Sequence, residues 1–155
     1  MGKSNYYDES FLFICMTLLK IMIEFEYQVR VRYAEADRMG YVYYGNYAVY
    51  FEAARVELLR KLGITYKQLE DDGYILPVLD FSVRYIRPAY YDDLLTIKTV
   101  IRKKPATRIY FEYETFNESG ILLNTASVTL VFVKKSNGKP IIPTDEFLKV
   151  FSPYF

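Results

Sequence analysis

Between Asn46 and Gly63 the chain repeats its apolar residues with helical spacing, while most of what surrounds this stretch alternates like strand. Tyr47, Tyr50, Phe51, Ala54, Leu58 and Leu62 recur at spacings that place them on one helical face. Val49, Ala53 and Val56 widen that stripe, which predicts a helix that is largely buried. Asn46 reads as the N-cap and Gly63 as the residue just past the helix end. Glu57 and Lys61 read as an ion pair one turn apart on the remaining face. A lone helix with so wide an apolar face needs a sheet curled around it.

The flanking segments supply such a sheet. Phe25, Tyr27, Val29 and Val31 alternate with Glu26, Gln28, Arg30 and Arg32, the period of a half-buried strand. A turn region over Glu35 to Gly45 leads into the helix, and Thr65 to Asp72 adds a further helical turn or two, ended by Gly73. Leu79, Phe81, Val83 and Tyr85 then alternate with Asp80, Ser82 and Arg84 up to the strand-ending Pro88. Later runs are centred on Leu95–Ile101, Ile109–Tyr113 and Ile121–Val133, with turns at Lys103 to Ala106, Asn117 to Gly120 and Ser136 to Gly138. The order is one strand, one long helix, then at least four strands, which is α+β.

Composition narrows the chemistry. Among 155 residues there is no histidine and a single cysteine, Cys15. A Ser-His-Asp triad, a Cys-His dyad, a His-ligated zinc hydrolase and an intrachain disulfide are therefore excluded. Any hydrolase built from this chain needs a carboxylate for nucleophilic or acid–base work. The net charge is +1 with no basic run, which argues against nucleic acid as a partner. The 17 tyrosines and 11 phenylalanines suit half-buried strands, an apolar ligand groove or an oligomer interface.

Residues 1–23 read as an apolar extension and 24–155 as the domain. The Phe11 to Ile23 run is too short for a membrane span and lacks the marks of a signal peptide. Residues 10–22 read either as a short helix or extra strand, or as an extension ahead of a natural start at Met22.

The chemistry-bearing stretch runs from Arg32 through Tyr-Ala-Glu-Ala-Asp37-Arg-Met-Gly40-Tyr-Val-Tyr-Tyr44-Gly-Asn46-Tyr47 to Phe51-Glu52-Ala-Ala-Arg55. It resembles the 4-hydroxybenzoyl-CoA thioesterase-like branch of the hotdog-fold acyl-CoA thioesterases. The matching pattern is a strand, then Asp37, Gly40, Tyr41, Val42 and Tyr44, with Asn46-Tyr47 opening the helix. Leu76-Pro77-Val78 and Tyr85-Ile86-Arg87-Pro88-Ala89 followed by Asp92-Asp93-Leu94 carry the likeness further, to about Pro143. The resemblance implies a hotdog fold, an antiparallel sheet wrapped around one long central helix. It implies hydrolysis of an acyl-CoA, or of an acyl-carrier-protein thioester, with no metal or cofactor. It also implies a dimer joined sheet edge to sheet edge, or a tetramer, with sites at the subunit boundary, and a cytoplasmic location.

Carried over residue by residue, the resemblance makes Asp37 the catalytic carboxylate, as nucleophile or as general base on water. It gives the Tyr44 backbone N–H, with Gly45 beside it, the role of oxyanion donor, for which a helix start is suited. Gly40, Tyr41, Val42, Gly45, Asn46 and Tyr47 become substrate-binding candidates. Some relatives carry His where this chain has Tyr44, and other hotdog enzymes use a Glu on the helix, where Glu52 stands. Each residue also has a plainer reading. Asp37 suits a turn, Asn46 a cap, Glu35 a loop charge, and the aromatics Tyr41, Tyr43 and Tyr47 a core. Arg84, Arg87, Lys134 and Lys135 are candidates for coenzyme A phosphates, or solvated edge charges. A non-catalytic acyl-thioester binding module on the same fold is the alternative; a hotdog dehydratase is disfavoured by the absence of histidine.

Overall fold

The computed structural model describes residues 22–155. The readings placed on residues 1–21 lie outside them. Eight strands are present: β1 (Ile23–Arg30), β2 (Tyr74–Ile75), β3 (Val78–Tyr85), β4 (Leu94–Ile101), β5 (Arg108–Phe116), β6 (Leu122–Val131), β7 (Val133–Lys134) and β8 (Lys139–Pro140). The helices are α1 (Asn46–Lys61), α2 (Tyr66–Asp71) and α3 (Asp145–Lys149). The main sheet has five antiparallel strands in the order β1-β4-β5-β6-β3; β2, β7 and β8 form a small second sheet. Among the described residues no helix is long and apolar enough to cross a membrane.

Helix α1 lies across the inner face of the main sheet. Its buried side chains are Tyr47, Tyr50, Phe51, Ala54, Arg55, Leu58 and Leu59. It packs on β1 and β4. Phe51 also stacks on Tyr113 of β5 at 4.6 Å between ring centroids and meets Phe81 of β3 edge-on. Tyr47 meets Tyr85 at the end of β3 in the same way. The helix therefore touches strands from one edge of the sheet to the other, as a curled sheet requires. The facing rows are Leu95, Ile97 and Ile101 on β4, Ile109, Phe111 and Tyr113 on β5, and Ala126, Val128 and Leu130 on β6, all buried.

The burial expected on most sides of α1 is reduced to one face in the single chain. Val49 is 63% exposed, because one sheet covers only the side turned toward it. Lys61 lies over the Phe25 ring, while Glu57 pairs with Arg60 instead of Lys61. Asn46 is the first helical residue and not the cap; Gly45 occupies the cap position and has no side chain to bond with. Gly63 has φ +86°, the left-handed backbone that suits a helix end. The Thr65 hydroxyl caps α2 by accepting from the Gln68 N–H. Strand β3 departs most from the alternation of its sequence: of its eight residues only Val83 is even half-buried. It is an edge strand, and among the described residues its apolar face is covered only in part, where Phe81 meets Phe51, Tyr85 meets Tyr47 and Val83 packs on the core.

Candidate active site

The segment joining β1 to α1 is a short folded ladder. A single 3-10 turn spans Tyr33–Glu35, Ala36 then bridges Val42, and Tyr41 bridges Tyr90. The Asp37 N–H donates to the Tyr41 carbonyl at 3.0 Å, and the Gly40 N–H donates back to the Asp37 carbonyl at 3.0 Å. Oδ1 of Asp37 accepts the Met39 N–H at 2.8 Å, the local bond that makes Asp a good turn starter. Gly40 closes the turn at φ +84°, a conformation that costs glycine little. The turn thus holds the Asp37 carboxylate through one oxygen. Oδ2 takes no hydrogen bond from a described residue.

The next turn forms the helix mouth. The Asn46 N–H donates to the Tyr43 carbonyl at 3.0 Å and the Ala48 N–H to the Gly45 carbonyl at 3.3 Å. Among the described residues, neither the Tyr44 N–H nor the Gly45 N–H has a hydrogen-bond acceptor outside the helix ladder. These donors stand at the positive end of α1, a place that favours negative charge. A Cβ added at Gly45 would come within 2.7 Å of the half-exposed Tyr43 ring, which would have to shift to admit it.

Asp37 and this mouth face one cavity of about 400 Å³. Met39, Tyr41, Val42, Tyr44 and Tyr47 wall it on the loop and helix side; Tyr85, Ile86, Arg87 and Pro88 wall it on the β3 side. Of the residues picked out in the sequence, Asp37, Tyr41, Val42, Tyr44 and Tyr47 are brought together here. Gly40, Gly45 and Asn46 are not in the wall: Gly40 and Gly45 shape the two turns, and the Asn46 amide donates to the Glu35 carbonyl at 2.8 Å. Tyr43 is also outside the wall, as are Arg84, Lys134 and Lys135, whereas Arg87 is in it. Burial pushes the Tyr47 hydroxyl up to about 12, helped by Tyr85 and opposed by the Ala89 backbone and the Asn124 amide. It is therefore a neutral wall residue at physiological pH.

Sequence reasoning did not find Tyr85, Ile86 and Pro88 as wall residues, because nothing local ties the end of β3 to a loop some forty residues earlier. It also passed over Glu35. Oε2 of that residue accepts the Arg32 N–H at 2.7 Å and the Tyr50 hydroxyl at 2.7 Å. The spacing of Glu35 to Arg32 was a readable signal; the long bond to Tyr50 was not. Among the described residues no group of three or more His, Cys, Asp or Glu is placed to hold a metal ion.

Known proteins resemble this chain in sequence and fold. A family model described as the Thioesterase superfamily matches residues 39–123, and Asp37 lies just ahead of the matched span. The putative acyl-CoA thioesterase YneP of Bacillus subtilis is 34% identical over 124 residues, covering 80% of this chain and 87% of that protein. The acyl-CoA thioester hydrolase YbgC of Escherichia coli is 34% identical over 116 residues, covering 75% of this chain and 87% of that protein. The crystal structure of a DHNA-CoA thioesterase from Staphylococcus aureus superposes with a TM-score of 0.80 at 36% identity, over 84% of this chain and 89% of that one. The sheet, the helix across it and these likenesses agree: the chain is a thioester hydrolase of the hotdog fold and belongs to the thioesterase superfamily.

Proposed function

We propose that this chain hydrolyses an acyl-CoA thioester to free acid and coenzyme A, with Asp37 as the catalytic carboxylate and residues 24–155 as the catalytic domain. The observation that carries the reading is the placement of Asp37 and Tyr44 on one apolar-walled cavity of about 400 Å³. Asp37, with a carboxylate oxygen that has no described partner, and Tyr44, at the helix mouth, line the same space. In the reaction the thioester carbonyl sits at the mouth, where the Tyr44 N–H, with Gly45 beside it, stabilises the negative charge that builds on oxygen. Asp37 attacks the carbonyl carbon to give a mixed anhydride that water then cleaves, or it takes a proton from the water that attacks. In both routes the C–S bond breaks and the departing thiolate ends as the coenzyme A thiol. This chemistry requires no metal or cofactor. The names of the relatives, acyl-CoA thioesterases and hydrolases, support the coenzyme A thioester class.

The exposed edge strand supports a dimer. Val78, Leu79, Phe81 and Tyr85 are all exposed on β3, and a long apolar edge of this kind normally has a cover. Antiparallel pairing of β3 with a second copy supplies it and sets the partner's Val78 end beside the Tyr85 end, where the cavity lies. A coenzyme A substrate further favours a cytoplasmic location.

The test is thiol release from aromatic and aliphatic acyl-CoAs by the wild type and Asp37→Asn, with folding checked by melting. Loss of roughly a thousandfold or more in kcat by a folded mutant supports the carboxylate mechanism. Equal turnover in the two proteins sinks it. An absence of turnover across the panel shifts the reading to an acyl-carrier-protein substrate or to a binding module.

A further inference from the structure

Glu35 stands between the two halves of the site, two residues before Asp37 in sequence. Its side chain is 16% exposed, with Oε1 3.8 Å from the Arg32 Nε. Oε2 accepts from the Arg32 N–H and from the Tyr50 hydroxyl, each at 2.7 Å. The backbone carbonyl accepts from the Tyr43 N–H at 2.9 Å and from the Asn46 side-chain amide at 2.8 Å. Tyr50 lies one turn into α1, is only 3% exposed, and has its hydroxyl pushed up by burial first and by Glu35 second. The phenol therefore stays protonated and donates. A bond from a buried hydroxyl to a charged oxygen, shielded from water, is of the stronger kind.

These four bonds add to the Ala36–Val42 bridge and the Asp37–Tyr41 bond, and the two from Asn46 and Tyr50 alone among the described bonds of the loop join Glu35 to α1. One pair fixes the segment that carries Asp37 and clamps it to the body of α1. The other pair fixes Tyr43 and Asn46, the residues on either side of the Tyr44–Gly45 turn. We infer that Glu35 is a positioning residue for thioester hydrolysis, setting the distance between the Asp37 carboxylate and the Tyr44 N–H through Tyr50, Tyr43 and Asn46. The inference rests on Asp37 and the helix mouth being the reacting groups. Glu35 itself does not touch the substrate and is not in the cavity wall. A shift of about 1 Å between reacting groups can cost on the order of a hundredfold in rate, so a small loosening of this strut reaches kcat before it reaches binding.

Both side-chain bonds fall on the same oxygen, and this gives the test a sharp contrast. The amide oxygen of Gln has two lone pairs and replaces Oε2 without the charge. The experiment measures kcat, KM, melting temperature and the kcat–pH profile of full-length wild type, Glu35→Gln, Glu35→Ala, Tyr50→Phe and the Glu35→Ala/Tyr50→Phe double variant, on the best acyl-CoA of the panel. Glu35→Gln is expected to keep kcat within roughly threefold and an unchanged pH profile, since geometry is kept. Glu35→Ala is expected to lose roughly 10- to 100-fold in kcat with KM within about threefold. Tyr50→Phe falls between these, and the double variant is no worse than Glu35→Ala, because the bond that Tyr50→Phe removes is already lost in Glu35→Ala. If Glu35→Ala does not fold, Tyr50→Phe alone decides.

Unchanged kcat in a folded Glu35→Ala or Tyr50→Phe overturns the inference, whatever happens to melting. Glu35→Gln as damaging as Asp37→Asn overturns it too, because the charge and not the geometry would then matter. Collapse in Asp37→Asn with intact Glu35 variants removes only the strut; turnover surviving in Asp37→Asn removes the mechanism on which the strut rests.

Discussion

The Tyr85 hydroxyl donates to the Tyr44 carbonyl at 2.9 Å, joining the end of edge strand β3 to the mouth of α1. The bond occupies the carbonyl of the Tyr44–Gly45 peptide, whose N–H belongs to Gly45, and neither the Gly45 N–H nor the Tyr44 N–H has an acceptor outside the helix ladder among the described residues. Burial first, and then Tyr44, hold the Tyr85 hydroxyl above its ordinary value, so it remains a donor at neutral pH.

Removing that donor tests its use. Tyr85→Phe keeps the ring that packs on Tyr47 at 5.5 Å and loses only the bond. A half-exposed neutral bond contributes about 0.5–1.5 kcal/mol to stability. The expected loss in kcat is of similar size, roughly three- to tenfold, because the Tyr44–Gly45 peptide at the helix mouth is loosened. Steady-state thiol release and urea melts measure the two together; a loss confined to stability removes the role in orientation.

Stability should be flat near neutrality and fall on the alkaline side. There is no histidine to titrate between pH 6 and 8. Burial holds the Tyr47 hydroxyl at about 12, and burial also raises Tyr50, Tyr66 and Tyr113, with Arg55 opposing the rise at Tyr66 and Tyr113. In the unfolded chain these groups ionise near 10, so the folded chain retains protons that the unfolded one releases. The contribution is complete below about pH 10 and is lost as pH rises from there through about 12. Melting temperatures taken from pH 6 to pH 12 check this. Tyr113→Phe should make the alkaline fall shallower, and an unchanged slope in that variant assigns the fall to other groups.

The edge of β3 makes a prediction about assembly. Leu79 is 55% exposed there among the described residues. Leu79→Lys places a solvated charge on the edge, the device by which natural edges avoid pairing. Size-exclusion chromatography with light scattering should give a dimer or tetramer for the wild type and smaller species for the variant. Turnover should fall along with assembly, because the cavity lies at the end of that strand. A wild type that is monomeric and fully active would remove the subunit boundary from the site.

Much of the architecture was legible because it is written in local periods. The helix over Asn46–Lys61, the turn glycines Gly63, Gly73, Gly120 and Gly138, and the inward faces of β4, β5 and β6 follow from spacing and backbone preference alone. Strand β3 misled in part: its alternation is genuine, but the described residues leave both of its faces largely exposed. Asn46 misled in another way. Its type and place suit a cap, yet its amide reaches the Glu35 carbonyl, eleven residues back, because the loop folds close to the mouth.

By itself the sequence determined the class of fold, the absence of histidine chemistry, and the candidacy of Asp37 beside the start of one helix. These are matters of composition, short spacing and motif, which a linear chain carries in full. Only the tertiary structure decided that Tyr85, Ile86 and Pro88 complete the cavity and that Arg87 is the basic residue in its wall. It also decided that Glu35, legible as a loop charge, bonds to Tyr50. These contacts join residues from fifteen to some fifty positions apart. Neither partner carries a local mark of the other, and only the packing of α1 against a curled sheet brings them together.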